Sequence, residues 1–134
     1  MNMLELKCTL QFISVLTFWI TLATTEGWKW RMNDGRPDNS SIMTGNSYHI
    51  WRSFTTASFL VTPMVFVSVQ SFLVANLSAW LLYERWVSLE EHDDMLFKRG
   101  PFHLVGKIWI QRPDPILEII ASACGLALYV WICR

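Results

Sequence analysis

The sequence predicts an all-α integral membrane protein, a helical bundle of three transmembrane helices. Three observations predict it. Hydrophobic residues make up 52% of the 134 positions and charged residues 16%, against roughly a quarter charged in an average soluble domain. The charges are segregated: none lies between Lys7 and Glu26, between Arg52 and Glu84, or between Glu118 and Arg134. A soluble helix returns a polar face to water every turn, so runs of this length need apolar surroundings on all sides. Aromatic residues mark the ends of the runs, with Trp28 and Trp30, Tyr48 and Trp51, Tyr83 and Trp86, and Tyr129 and Trp131. Rings with one apolar and one polar side collect at membrane–water interfaces.

The first run, Cys8 to Thr25, gains Leu4 and Leu6 in front of it and reaches the ~20 residues needed to cross ~30 Å of hydrocarbon. A retained helix over about 5–25 is favoured over a cleaved signal peptide. The apolar stretch is long for a signal, and Lys7 is offset by Glu5. The second run, Ser53 to Tyr83, exceeds one span. Its polar start, Ser53 to Phe59, reads as a lead-in, and the helix is expected over about 60–83, with Pro63 near its start where a missing N–H matters least. Gln70 and Asn76 lie inside it and are expected to hydrogen-bond to other helices. The third run gives a helix over about 116–133. Pro113 and Pro115 precede it, and Glu118 sits in its first turn, where the helix dipole favours a carboxylate. Its small residues Ala121, Ala123, Gly125 and Ala127 permit close approach of a neighbour, with Ala121 and Gly125 as the packing candidates beside Gln70 and Asn76.

One membrane domain over 1–134 follows, with loops at 26–52 and 84–115. Between Phe97 and Ile110 the second loop mixes apolar and basic residues, as a short strand or a segment dipped into the interface would. Lys and Arg divide almost evenly in an arrangement with the N-terminus inside, so they set no orientation. The sequon Asn39-Ser40-Ser41 makes Asn39 a glycosylation candidate. It places loop 26–52 outside and loop 84–115 in the cytoplasm, where the basic Phe97–Ile110 segment would meet an anionic leaflet.

No catalytic constellation, cofactor motif or metal site is expected, and the chain is read as not an enzyme. Glu90-Glu91-His92-Asp93-Asp94 has groups that bind divalent cations, but such a run more often forms a solvated loop or helix start. A lipid-modifying enzyme using His92 is the least favoured reading. The cysteines Cys8, Cys124 and Cys133 lie in or beside apolar runs, so no loop disulfide is expected. Zero net charge leaves no nucleic-acid footprint.

Two stretches carry a family resemblance. Leu22 to Thr25 followed by Glu26-Gly27-Trp28, and His49-Ile50-Trp51-Arg52-Ser53-Phe54, resemble the helix exit and the late first-loop Trp motif of claudins, peripheral myelin proteins and calcium-channel gamma subunits. The resemblance implies that Trp28, Trp51 and Arg52 belong to an external loop. It implies a junction or channel-accessory role through helix packing and that loop. Phe54 stands where that family has a loop cysteine, and its fourth helix is absent from the prediction. A span ending at Cys133 is therefore also what a truncated four-helix protein would show. Expected partners are membrane lipid and other membrane-protein subunits, with no nucleic acid and no small-molecule substrate. The expected location is a plasma or secretory-pathway membrane. The competing class is a supernumerary subunit of a membrane energy-transducing complex.

Overall fold

A computed structural model describes residues 1–35, 45–103 and 108–134. Among the described residues the chain is all-α apart from one short antiparallel strand pair. Its elements are α1 (Met3–Asn33), α2 (Gly45–Val61), a 3-10 turn (Thr62–Val65), α3 (Val69–His92), β1 (Phe102–His103), β2 (Trp109–Ile110) and α4 (Pro115–Ile132). Among these helices, α1 and α4 are long and apolar enough to cross a membrane.

Four helices stand where three were expected. The long second run is two helices, because a proline and a cap interrupt it. Pro63 opens the 3-10 turn that ends α2, and Phe66 is extended with φ −64° and ψ 133°. Ser68 then restarts the helix: its side chain accepts from Ser71 N–H, and Ser71 Oγ accepts from Ser68 N–H. That reciprocal pair satisfies donors a helix start otherwise orphans. The polar stretch Ser53 to Phe59, expected as a lead-in, is the body of α2. At the chain start, Asn2 caps α1 in the same way with Glu5. Asp114 caps α4 by accepting from Ile116 N–H at 2.9 Å, with Pro115 in the first turn.

Cross-helix contacts fix the topology as up-down-up-down. Thr21 meets Thr55 at 2.7 Å and Ser14 meets Thr62 at 2.6 Å, so α1 and α2 are antiparallel. Trp19 Nε1 donates to Asn76 Oδ1 at 3.0 Å and Trp86 Nε1 to Thr24 Oγ1 at 3.1 Å, so α1 and α3 are parallel. Ser78 and Ser122 each donate to the other's carbonyl, at 2.8 and 2.9 Å, and Arg85, further along α3, pairs with Glu118, earlier in α4, so α3 and α4 are antiparallel. Helix α1 packs on both α2 and α3, and α4 packs on α3 and meets α1 near its own C-terminal end, where the Phe12 and Tyr129 rings lie 5.3 Å apart.

This order places the end of α1, the start of α2, the end of α3 and the start of α4 at one end of the bundle. Arg31, near the end of α1, pairs with Asp93 at the end of α3 at 2.9 Å. The two loops were expected on opposite faces, whereas the helix ends that lead into them lie together in the bundle. The cause is the added helix, which reverses the direction of everything after it. At the other end a disulfide joins Cys8 to Cys133, with Cα atoms 6.2 Å apart. Those two cysteines are far apart in sequence, and no loop spacing announced the bond.

The interior is more polar than the exterior. Gln11, Thr25, Ser71, Ser78 and Ser88 are buried, while Leu73, Leu77, Ile116, Leu117, Ile120 and Trp131 are exposed. A compact apolar cluster of Cys8, Val15, Ala75, Ala79, Tyr129 and Cys133 sits toward the disulfide end. Water would destabilise such a surface, since each exposed large aliphatic side chain forgoes roughly 1.5–3 kcal/mol of burial.

Candidate functional site

The densest polar chemistry lies at the loop end of the bundle. Its residues enter through the last turns of α3, the first turn of α4 and the segment between them. Arg85 on α3 is buried and pairs with Glu118 on α4, Nε to Oε2 at 3.3 Å and Nη2 to Oε1 at 3.4 Å. The same guanidinium donates from Nη1 to the carbonyls of Met95 and Phe97, at 3.0 and 2.9 Å. One side chain thus ties two helices and the connecting segment together. A buried pair of this kind holds only because further hydrogen bonds satisfy its remaining donors.

Beside it, Glu84 gathers two more arginines. Arg99 Nη1 lies 2.9 Å from Glu84 Oε2, and Arg112 Nη1 pairs with the same oxygen. Arg112 Nε also donates to the Gly100 carbonyl at 2.8 Å. The hairpin that β1 and β2 form, Phe102 against Ile110 and His103 against Trp109, is suspended between those two arginines. Below it is a cavity of about 250 Å³, walled by Trp30, Glu91, His92, Phe97, Arg99, Gly100, Pro101 and Arg112. The His92 and Phe97 rings stack with centroids 3.7 Å apart, and His92 Nε2 lies 3.5 Å from Glu91 Oε1.

The residues singled out from sequence are distributed as follows. Trp28 and Arg52 meet around Tyr48. The Trp28 ring is 5.8 Å from it, the Arg52 guanidinium is 6.0 Å over it, and Arg52 pairs with Glu26 at 3.4 Å. Trp51 contacts Phe54, one turn on. Trp28 lies in α1 and Trp51 and Arg52 in α2, so none of the three is a loop residue. Their meeting is helix packing: α1 runs to Asn33 and α2 begins at Gly45, so helix occupies both ends of the loop expected over 26–52. Asn39 lies outside the described residues.

Of the packing candidates, Asn76 and Gly125 face neighbours. Asn76 accepts from Trp19, and a Cβ added to Gly125 would stand 3.0 Å from Ser78 Cβ. Gln70 and Ala121 are exposed instead, each next to a buried serine, Ser71 and Ser122. The acidic stretch Glu90 to Asp94 disperses: Glu90 abuts Gly27, Glu91 is buried and Asp93 pairs with Arg31. Among the described residues no three His, Cys, Asp or Glu side chains converge as a metal site.

Sequence reasoning missed the ionic layer of Glu84, Arg85, Arg99, Arg112 and Glu118. A signal existed. Glu84-Arg85 closes one charge-free run and Glu118 opens the next, so charges of both signs had to share one level if α3 and α4 pack antiparallel. Gln11 and Tyr129 were also missed. The Tyr129 hydroxyl lies 2.6 Å from the Cys8 carbonyl and 3.0 Å from Gln11 Oε1, closing α4 onto α1 beside the disulfide. Comparison with family models, curated proteins and solved structures returns no match.

Proposed function

We propose that this chain is a multi-pass membrane protein that acts as a structural or channel-accessory subunit, through helix packing rather than chemistry of its own. The observation that carries the reading is the inverted distribution of polarity: serines, threonines and ion pairs inside, leucines, isoleucines and valines outside. Hydrocarbon makes that arrangement favourable, because buried polar groups find partners between helices and outward apolar groups meet lipid.

The proposed orientation follows from charge. Lys29, Arg31, Arg52, Arg85, Lys98, Arg99 and Arg112 belong to the loop end, against Lys7 and Arg134 at the other. Excess Lys and Arg favours the cytoplasmic side. Both termini then lie on the exoplasmic side, where the Cys8–Cys133 disulfide meets an oxidising compartment. The claudin-type resemblance contributes to the proposal only the likeness of a compact multi-helix accessory protein, since its external first loop conflicts with this orientation.

Helix α4 offers exposed small residues to a partner subunit, Ala121 on one side and Ala123 and Ala127 on the other. The test has two parts. The protein should remain in membranes washed with alkaline carbonate. A photo-crosslinking side chain placed at Ala121 should capture a larger membrane protein in native membranes. Release by carbonate sinks the membrane reading, and monomeric behaviour with no crosslinked neighbour sinks the accessory role.

A further inference from the structure

We propose that the cleft between α2 and α3 is a binding site for an uncharged alkylated phenol that enters from the bilayer. The proposal rests on the membrane reading above and adds to it a ligand and a site.

The cleft exists because the reversal joins two helices that do not pack together. Among the described residues α2 packs on α1 and not on α3. The 3-10 turn that Pro63 opens and the extended Phe66 carry the chain across the gap. The space left is a cavity of about 270 Å³, lined by Phe18 of α1 and by Phe59, Thr62, Phe66, Phe72 and Asn76. Phe59 and Phe66 are exposed on its outer side, which in a membrane faces lipid, so the route in is lateral.

Size bounds the ligand. An apolar cavity of roughly 150 Å³ takes benzene, so about 270 Å³ takes roughly eleven non-hydrogen atoms. That is one ring with a few alkyl carbons. Chemistry narrows it further. None of the lining side chains is ionisable, and a charge moved there from water meets no counter-charge. The four phenylalanines form two pairs, with Phe18 and Phe59 ring centroids 6.0 Å apart and Phe66 and Phe72 5.9 Å apart. Such rings favour another aromatic ring, edge to face or offset.

Asn76 supplies the polar anchor. Its Oδ1 accepts from Trp19 Nε1 at 3.0 Å and its Nδ2 donates to the Phe72 carbonyl at 2.9 Å. A side-chain amide has two N–H donors and two acceptor lone pairs, so one of each is left over. Asn76 stands eight residues before Glu84, about 12 Å along the helix from the end of the charge-free stretch. In a hydrocarbon layer ~30 Å thick that is close to the middle, where there is no water to meet the spare groups. A phenolic hydroxyl can meet either of them, and a hydrocarbon neither.

The test uses the full chain from the carbonate-resistant membrane fraction, in lipid nanodiscs. The photoreactive m-azidophenol is irradiated with it and the labelled peptides are mapped. The competitors are thymol, its hydroxyl-free counterpart p-cymene and the anion p-isopropylbenzoate, with concentrations referred to the bilayer. Labelling is expected between Phe59 and Asn76. Thymol should displace it at roughly tenfold lower concentration than p-cymene, the effect of one additional hydrogen bond. The carboxylate should leave it in place. Asn76→Leu should bring thymol to the potency of p-cymene and leave p-cymene unchanged, which a misfolded variant would not do. Equal potency of thymol and p-cymene in the natural chain would assign the cleft to acyl chains and overturn the proposal. Displacement by the carboxylate as strong as by thymol, or a thymol preference that survives Asn76→Leu, also overturns it. A carbonate-resistant protein without labelling in this stretch sinks the site alone, whereas a protein washed out by carbonate sinks the membrane reading and the site with it.

Discussion

At the scale of single residues, two glycines set how closely helices approach. A Cβ on Gly27 would stand 2.5 Å from Glu90 Cβ and 3.2 Å from the Val87 carbonyl. The obstacle is backbone and the base of a side chain, so α1 and α3 must separate. Gly27→Ala should therefore cost about 1–3 kcal/mol, the usual range for overpacking, read as a lowered midpoint in denaturant unfolding from micelles. Gly125 and Ala121 form a sharper contrast. Gly125→Val should destabilise by pushing into Ser78, while Ala121→Val, on an exposed position, should change the midpoint little. Equal effects would mean that α4 is rotated from the orientation described. Composition made both small residues look alike, and only the partner helix tells them apart. Asn76 was legible because a polar amide in an apolar run needs a partner. Gln70 satisfied the same rule in sequence but stands in the first turn of α3 and is exposed, since the helix starts at Val69 rather than near residue 60.

At the scale of elements, α1 and α4 were visible because each apolar run coincides with one helix. The run from Ser53 to Tyr83 concealed two, since both halves are uncharged and hydropathy has no term for a reversal between them. Its punctuation was local: Pro63, then Ser68 three residues before Ser71. The charges that bound these runs turn out to hold the connecting segment. Arg85→Met should destabilise by about 3–5 kcal/mol, because Glu118 is left buried and alone. The double variant Arg85→Met with Glu118→Leu should recover most of that loss, as apolar replacements of buried pairs do. It cannot restore the bonds from Arg85 to the Met95 and Phe97 carbonyls. Limited trypsin cleavage at Lys98 and Arg99 should consequently stay fast in the double variant even where its midpoint is regained. Recovery of protease resistance together with stability would show that the segment is anchored by Glu84 alone.

At the scale of the whole molecule, the number of helices decides which surfaces share a compartment. Three spans would separate the loops; four antiparallel helices join them, and they gather the basic residues at one end and the disulfide at the other. Charge asymmetry was invisible in the sequence for that reason: lysines and arginines that balance across three predicted spans become lopsided between the two ends of a four-helix bundle. Cys8 and Cys133 are separated by 125 positions. Closing so long a loop restricts the unfolded chain, so Cys8→Ser should lower stability by about 2–4 kcal/mol, with a mobility change on non-reducing gels. Orientation itself has a direct readout. With Cys124 replaced by Ser, a single added cysteine at exposed Met3 or exposed Lys98 reports its side through a membrane-impermeant maleimide. Met3→Cys should react in intact cells and Lys98→Cys only after permeabilisation, with Asn39 carrying no glycan. The opposite labelling pattern, or a glycosidase-sensitive shift that maps to Asn39, would put the basic end outside. The disulfide would then face the reducing side, and the proposed orientation would fall.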